Sequence, residues 1–264
     1  MKENVKYFLK SSYYNFLGQT QYKVNTAISF FSVLLDILGN IFTYYLIFYK
    51  FSTIAGYSIY QVIFMYSIFL CGHGLNLVFS RNLWNFSNYL ISGELDKLCV
   101  RPRNILLQLL CTSFSINALL YLAGGIFVLV RALDGMTFIY NILTIITLII
   151  IIISAAVIEL AITIFFVSFS FWFIKVSAMI YFNVEVLNEF LAYPLDVYNG
   201  VLRIIFTFIY PIAFISYYPT LYFFNSSNSN LLLLVITPVV ASLLFSCSCK
   251  LFFLGIKNYQ SIGN

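Results

Sequence analysis

Three ionisable residues stand inside stretches that are otherwise apolar: Asp36, His73 and Glu159. Holding a charge in hydrocarbon is costly, so such a group lines a transport path, binds a charged part of a substrate, or is neutralised by a partner. Asn40 follows Asp36 by one helical turn and Asn76 follows His73 by three residues, so Asp36, Asn40, His73, Asn76 and Glu159 together form a candidate polar lining. The plainer alternative is that each carboxylate is satisfied by Asn40, Asn76, Ser154 or a neighbouring helix. His73, between Gly72 and Gly74, equally suits close helix packing, and a lone histidine is thin support for acid–base catalysis.

Other chemistry is missing from the sequence. There is no G-x-x-x-x-G-K-[ST] phosphate loop, no dinucleotide fingerprint, no H-E-x-x-H and no G-x-S-x-G, so no catalytic residue is assigned and ATP hydrolysis has no recognisable route. The chain therefore reads as a non-enzymatic membrane subunit whose transport, if energised, is driven by another polypeptide. Cys71, Cys99, Cys111, Cys247 and Cys249 fall in spans or on the expected cytoplasmic side, where disulfides are disfavoured. Cys247 and Cys249 have no nearby His or third Cys, and no metal site is expected.

The elements that must position these residues are set by the solvent. Of 264 residues 62% are hydrophobic and 9% charged, with a mean hydropathy of +0.95, which is outside the range of water-soluble domains. Six apolar runs are long enough to cross a bilayer as helices: Val24 to Tyr49, Tyr60 to Ser80, Ile105 to Val130, Ile142 to Trp172, Arg203 to Phe224 and Leu231 to Leu254. They are continuously apolar rather than alternating, which selects helices over barrel strands. The expected fold is an all-α polytopic membrane protein, a single transmembrane domain over residues 1–264.

Six spans place both termini on one side. If that side is the cytoplasm, it holds all the Lys and Arg residues except Lys50 and Arg131, the bias expected of cytoplasmic loops. The net charge of +5 then follows from topology and anionic lipid, with no call for nucleic acid. The first apolar run is too long for a cleavable signal and lacks a small-residue cleavage site after it.

The connectors carry the remaining signal. Residues 1–23 place Val5, Phe8, Leu9, Tyr13, Phe16 and Leu17 at helical spacing beside Lys2, Lys6 and Lys10, an interfacial amphipathic helix. Residues 81–104 form a charged connector broken at Gly93 and ended by Pro102, able either to dock another protein or merely to anchor two helix ends. The fourth run, 31 residues or roughly 46 Å as a helix, must tilt or protrude. Its end at Phe169 to Phe173 is expected to project into a second cytoplasmic connector, residues 173–202. Pro211 and Pro219 predict a break in the fifth run near the outer surface. Asn225 to Asn230 is a polar outer turn, and residues 255–264 form a cytoplasmic tail. No internal repeat is evident, which disfavours an inverted-repeat carrier.

Gly93-Glu94-Leu95-Asp96-Lys97-Leu98, followed by Arg101-Pro102-Arg103-Asn104, resembles the corresponding segment of the ABC-2 class of ABC exporter permeases. Tyr193-Pro194-Leu195, Tyr210-Pro211-Ile212-Ala213-Phe214 and the closing G-x-x-x-Y-x-S-x-G from Gly255 to Gly263 extend the likeness over most of the chain. The resemblance is to the subgroup with six spans and no fused ATPase domain. It implies two permeases, identical or paralogous, joined to two ABC ATPase subunits that bind ATP and Mg²⁺, with no cofactor on this chain. It also implies that the Arg81 to Arg103 segment is a coupling helix, with Trp84, Gly93, Glu94, Leu95, Asp96, Lys97, Arg101, Pro102 and Arg103 as its ATPase-coupling residues. The implied location is a bacterial plasma membrane, with both termini cytoplasmic. The competing readings are a carrier or channel acting alone, with Glu159 or Asp36 titrating, and a membrane-embedded enzyme, for which one histidine and scattered carboxylates are a poor constellation.

Overall fold

The computed structural model describes residues 2–112, 115–136, 141–173, 176–191, 193–224 and 231–260, without the side chains of residues 2–6, 9, 177 and 231. The expected outer turn Asn225 to Asn230, Lys175 of the second connector, Ser261 and Gly263 of the tail motif, and the side chains of Lys2, Val5, Lys6 and Leu9 lie outside that description. Every regular element described is helical: α1 (Lys2–Gln21), α2 (Lys23–Lys50), α3 (Ile59–Trp84), α4 (Phe86–Ile91), α5 (Glu94–Cys99), α6 (Ile105–Cys111), α7 (Ile116–Asp134), α8 (Ile142–Ser168), α9 (Ser177–Phe190), α10 (Gly200–Ile204), α11 (Tyr217–Phe224) and α12 (Leu231–Lys257). The chain is an all-α polytopic membrane protein. Helices α2, α3, α7, α8 and α12 are long and apolar enough to cross a bilayer, and a bent pair over residues 200–224 brings the candidate spans to as many as six.

Helix α3 is the axis of the bundle. It starts on a capping box, with Ser58 Oγ accepting from the Gln61 amide and the Gln61 side chain accepting from the Ser58 amide at 2.9 Å. From Phe64 to Gly74 its residues are all buried, because small residues let its neighbours close on it. A β-carbon on Gly72 would lie 2.8 Å from Ala155 Cβ on α8, and one on Gly74 would lie 2.7 Å from the Leu122 amide nitrogen on α7. Small residues at such contacts are how membrane helices pack without a hydrophobic driving force. The glycines flanking His73 therefore do serve close packing.

Two layers of side chains define the ends of the bundle. Leu83, Phe86, Leu90, Leu95, Leu106, Leu109, Val176, Ile180 and Phe252 cluster at the end that carries Arg81, Lys97 and Arg103, here the basic end. Tyr44, Tyr66, Leu187, Leu191, Leu195, Ile212 and Tyr217 belong to a second cluster, with Tyr57 packed against it. Tyr57 lies in the loop between α2 and α3 and marks the opposite end.

The course of the chain departs from the run-based expectation in three places. First, Ile105 to Val130 is not one helix. It stops at α6 and restarts at Ser115, because Thr112 Oγ1 donates back to the Gln108 carbonyl at 2.8 Å while Asn82 reaches Thr112 Oγ1 at 2.8 Å and Asn15 reaches the Thr112 carbonyl at 2.7 Å. Hydroxyl and amide side chains satisfy the break that lipid would forbid. Second, the end of the fourth run does not project. It tightens into a 3-10 turn at Phe169–Phe171, and Phe171 packs on Phe86 and Phe252 with ring centroids 5.3 Å apart in each case.

Third, residues 173–202 do not form a connector confined to one end. Val176 and Ile180 sit in the basic-end layer, whereas Tyr57 Oη donates to Asp196 Oδ2 at 2.9 Å at the opposite end. Helix α9, 14 residues and about 21 Å long, carries the chain between them. The stretch Arg203 to Phe224 is correspondingly not a straight span. It runs through a π-turn at Ile205–Ile209, bends by 77° at Tyr210-Pro211, and returns through α11. Tyr210 Oη at the bend donates to Asn183 in the middle of α9, and Tyr217 on the returning arm donates to Asp196. Thr207 and Tyr218 join the arms at 2.9 Å. Both arms thus start and finish near Tyr57, and Arg203, paired with Asp196 at 3.3 Å, belongs with Lys50 and Arg131 rather than with the basic end.

Candidate translocation path and coupling surface

His73 and Glu159 meet at the centre of the bundle. His73 Nδ1 lies 2.6 Å from Glu159 Oε1, and the two residues are 5% and 2% exposed. Their helices are held at this separation by the Gly72–Ala155 contact one residue before His73. Glu159 Oε2 and Asn76 Oδ1 are buried without a hydrogen-bond partner among the described residues. Of the partners open to Glu159, the structure takes the neighbouring helix, through His73, while Ser154 donates to the Ile150 carbonyl at 2.8 Å.

Asp36 is brought to the same region from α2. Tyr121 Oη donates to Asp36 Oδ2 at 2.9 Å, and the Tyr121 ring stands edge-on to His73 with centroids 4.9 Å apart. Asn40 Nδ2 donates to the Asp36 carbonyl at 3.0 Å and contacts its carboxylate at 3.3 Å. The structure therefore joins Asp36, Asn40, His73 and Glu159 through Tyr121, a residue that the sequence reading left out. A tyrosine in an apolar run looks like part of an aromatic belt, and only the neighbouring helices give it a different role.

Asp36 is also one point on a longer feature. Asn25, Ser29, Ser32, Asp36, Asn40 and Thr43 recur every three or four residues, which places them on one face of α2. That periodicity was present in the sequence, masked by the apolar residues between. The face is exposed or half-buried in the single chain, while the buried residues of α2 are Val33, Ile37 and Tyr44. Its basic-end portion, Asn25 and Ser29, borders a cavity of about 360 Å³. Arg81, Trp84, Asn117, Tyr181 and Asn188 also line this cavity, and His73 and Tyr121 reach it from the bundle interior.

The coupling candidates form a separate surface at the basic end. Gly93 has a left-handed backbone, φ +69°, which turns the chain between α4 and α5. Leu95 then points inward at 0% exposure, leaving Glu94 and Lys97 exposed on the outer side of α5. Asp96 is half-buried near Tyr259, whose phenol is pushed up by burial and by that carboxylate. Arg101, Pro102 and Arg103 are exposed, and the Arg103 guanidinium stacks over Tyr7 of α1 at 4.6 Å. Trp84 is half-buried at the end of α3, one residue before the turn. The tail supports this surface from beneath: a β-carbon on Gly255 would lie 2.2 Å from Phe171, so only glycine lets α12 close onto that turn.

An all-α bundle with a polar face on an otherwise apolar helix and a charged platform at one end is a multi-pass membrane protein of transport type. The family described as ABC-2 family transporter protein matches residues 34–263, and the chain belongs to it, as an ABC transporter permease. No curated protein and no solved structure matches the chain. Family membership implies association with ABC ATPase subunits, and the family's membrane component is in general non-catalytic.

Proposed function

We propose that this chain is the permease subunit of an ATP-driven exporter, pairing with a second permease, identical or paralogous, and with two separate ATPase subunits. The observation that carries this reading is the exposed polar face of α2. Six polar residues, one of them a carboxylate, cannot face lipid without a large cost. A water-filled path between two permeases gives that face its solvent. Substrate passes along it from the cavity at the basic end. The basic end is cytoplasmic in a bacterial plasma membrane, by the distribution of Lys and Arg, and both termini lie there.

In this reading α5 docks in the ATPase, which binds ATP and Mg²⁺, while this chain holds no cofactor. Glu94 and Lys97 supply charged contacts, Leu95 roots the helix in the bundle, Gly93 and Pro102 bound it, and Asp96, Arg101, Arg103 and Trp84 frame it. Affinity purification from the native membrane, with mass spectrometry and an ATPase assay, tests the proposal. An ATPase that co-purifies and is lost on Glu94→Lys supports it, and repeated absence of any ATPase in mild detergents defeats it. The buried His73–Glu159 pair supplies a specific argument for the alternative, a proton-coupled carrier acting alone. That reading requires transport without an ATPase, with a pH dependence abolished by Glu159→Gln.

A further inference from the structure

The cavity at the basic end has an unbalanced electrostatic character. Among the described residues, its lining includes one permanent cation, Arg81, one imidazole, His73, and no carboxylate. Asp36, Glu159 and Glu185 of the neighbouring helices are not among its lining residues. Arg81 Nη1 donates to Gln19 Oε1 at 2.9 Å and to Ser115 Oγ at 3.2 Å, both neutral acceptors. These bonds orient the guanidinium across the gap between α1 and α7 without cancelling its charge. The Ile116 amide donates to the same Gln19 oxygen at 3.0 Å, fixing that side chain in turn. His73 Nδ1 is occupied by Glu159, so Nε2 is the nitrogen left to the cavity. Asn25, Asn85, Asn117 and Asn188 add amide donors around the wall.

We propose that this cavity binds a phosphate-type oxyanion group of the transported molecule, with Arg81 as the charge-bearing contact and the surrounding amides as neutral donors. Resting on the permease reading for its purpose, the inference narrows the substrate to one with an anionic head; the binding step itself stands independently of that reading. A guanidinium presents a planar fork of donors suited to phosphate oxygens. A cavity of about 360 Å³ lies within the usual range of small-molecule sites, about 300–1,000 Å³. The opening lies at the basic end, where a phosphate group arrives either as a lipid head or on a soluble solute.

The chain contains two tryptophans, Trp84 and Trp172, and Trp84 lines the cavity. The full chain carrying Trp172→Phe, in phosphatidylcholine nanodiscs, therefore reports occupancy through Trp84 emission. The probes are dihexanoyl phosphatidic acid, glycerol 3-phosphate and, as the uncharged-net control, dihexanoyl phosphatidylcholine. A saturable response to phosphatidic acid is expected, with the dissociation constant raised about tenfold or more by Arg81→Gln and largely recovered by Arg81→Lys. Asn188→Asp, which puts a carboxylate in the wall, weakens binding in the same direction and serves if Arg81→Gln does not fold. Response to phosphatidic acid alone assigns the site to lipid heads; response to glycerol 3-phosphate as well assigns it to soluble phosphates, and either supports the proposal. No saturable response to either phosphate probe, an undiminished response in both variants, or equal binding of phosphatidylcholine overturns it. ATPase co-purification is read separately. Phosphate binding with no ATPase partner leaves the site standing and removes the exporter reading, whereas an ATPase partner without phosphate binding does the reverse.

Discussion

At the scale of single residues, His73 and Glu159 are a buried pair whose worth lies in neither member being left alone. Removing one partner of such a pair strands a polar or charged group where nothing solvates it, at a cost of about 3–5 kcal/mol, whereas replacing both with apolar side chains is often near neutral. His73→Leu and Glu159→Leu are each expected to lower the thermal midpoint of the detergent-solubilised protein sharply. The double variant is expected to recover most of the loss, and a double variant as unstable as the singles would show that the pair does not act as a unit. Tyr121 belongs to the same accounting. Tyr121→Phe removes the donor to Asp36 but keeps the ring against His73. A loss of about 1 kcal/mol in stability is expected, with a larger effect on transport than on folding if the polar face of α2 is the path.

At the scale of elements, the platform and the bent pair make the sharpest claims. Cys99 is exposed at the end of α5, and its thiol is raised above its ordinary value by partial burial and by the Asp96 carboxylate. A raised thiol holds less thiolate at neutral pH, so maleimide labelling of Cys99 should quicken steadily between pH 7 and 9. If α5 is the docking element, bound ATPase should protect Cys99 at every pH; unprotected labelling in an intact complex would move the docking surface elsewhere. The bent pair predicts a topology. Asn199 lies between Asp196 and Arg203, near Tyr57. Asn199→Cys, with the native cysteines replaced, should react with an impermeant maleimide added outside intact cells, while a cysteine at position 97 should react only after permeabilisation. Labelling of both from the same side would restore a connector confined to one end.

At the scale of the whole molecule, the single chain is a bundle with one finished side and one unfinished side. Helix α3 is enclosed, whereas α2 buries little beyond Val33, Ile37 and Tyr44 and leaves its polar face open. In the exporter reading proposed above, a second permease against that face would turn the open side into a conduit, and α5 would set the ATPase at its basic end. Replacing Ser29 and Ser32 together with leucine should leave the chain folded and its ATPase docked, since Ser32 is exposed and Ser29 faces the cavity. Substrate transport, and any substrate-stimulated ATP hydrolysis, should fall. Unchanged transport would place the path elsewhere in the bundle.

Composition and pattern settled what each part of the chain is dissolved in. The apolar runs fix an all-α membrane protein because lipid leaves the backbone no other way to satisfy itself. The Gly93 to Asn104 motif marks the platform, because its turn, buried leucine and exposed charges are local and contiguous in sequence. Continuity was not legible in the same way. Ile105 to Val130 and Arg203 to Phe224 are apolar enough to be straight spans, yet one is interrupted where Asn82 and Asn15 supply bonds from elsewhere, and the other is folded back by Pro211 and held by Tyr57 and Asp196. Helix α9, with Asn183, Glu185, Asn188 and Glu189 in its sequence, is too short and polar to read as a crossing element until its two ends are seen in opposite layers. The His73–Glu159 pair joins residues 86 positions apart, and the cavity beside Arg81 is built from five helices and the turns between them. Hydropathy reports the solvent around each residue, which is a local property; partners across the bundle are non-local, and only the tertiary structure decided them.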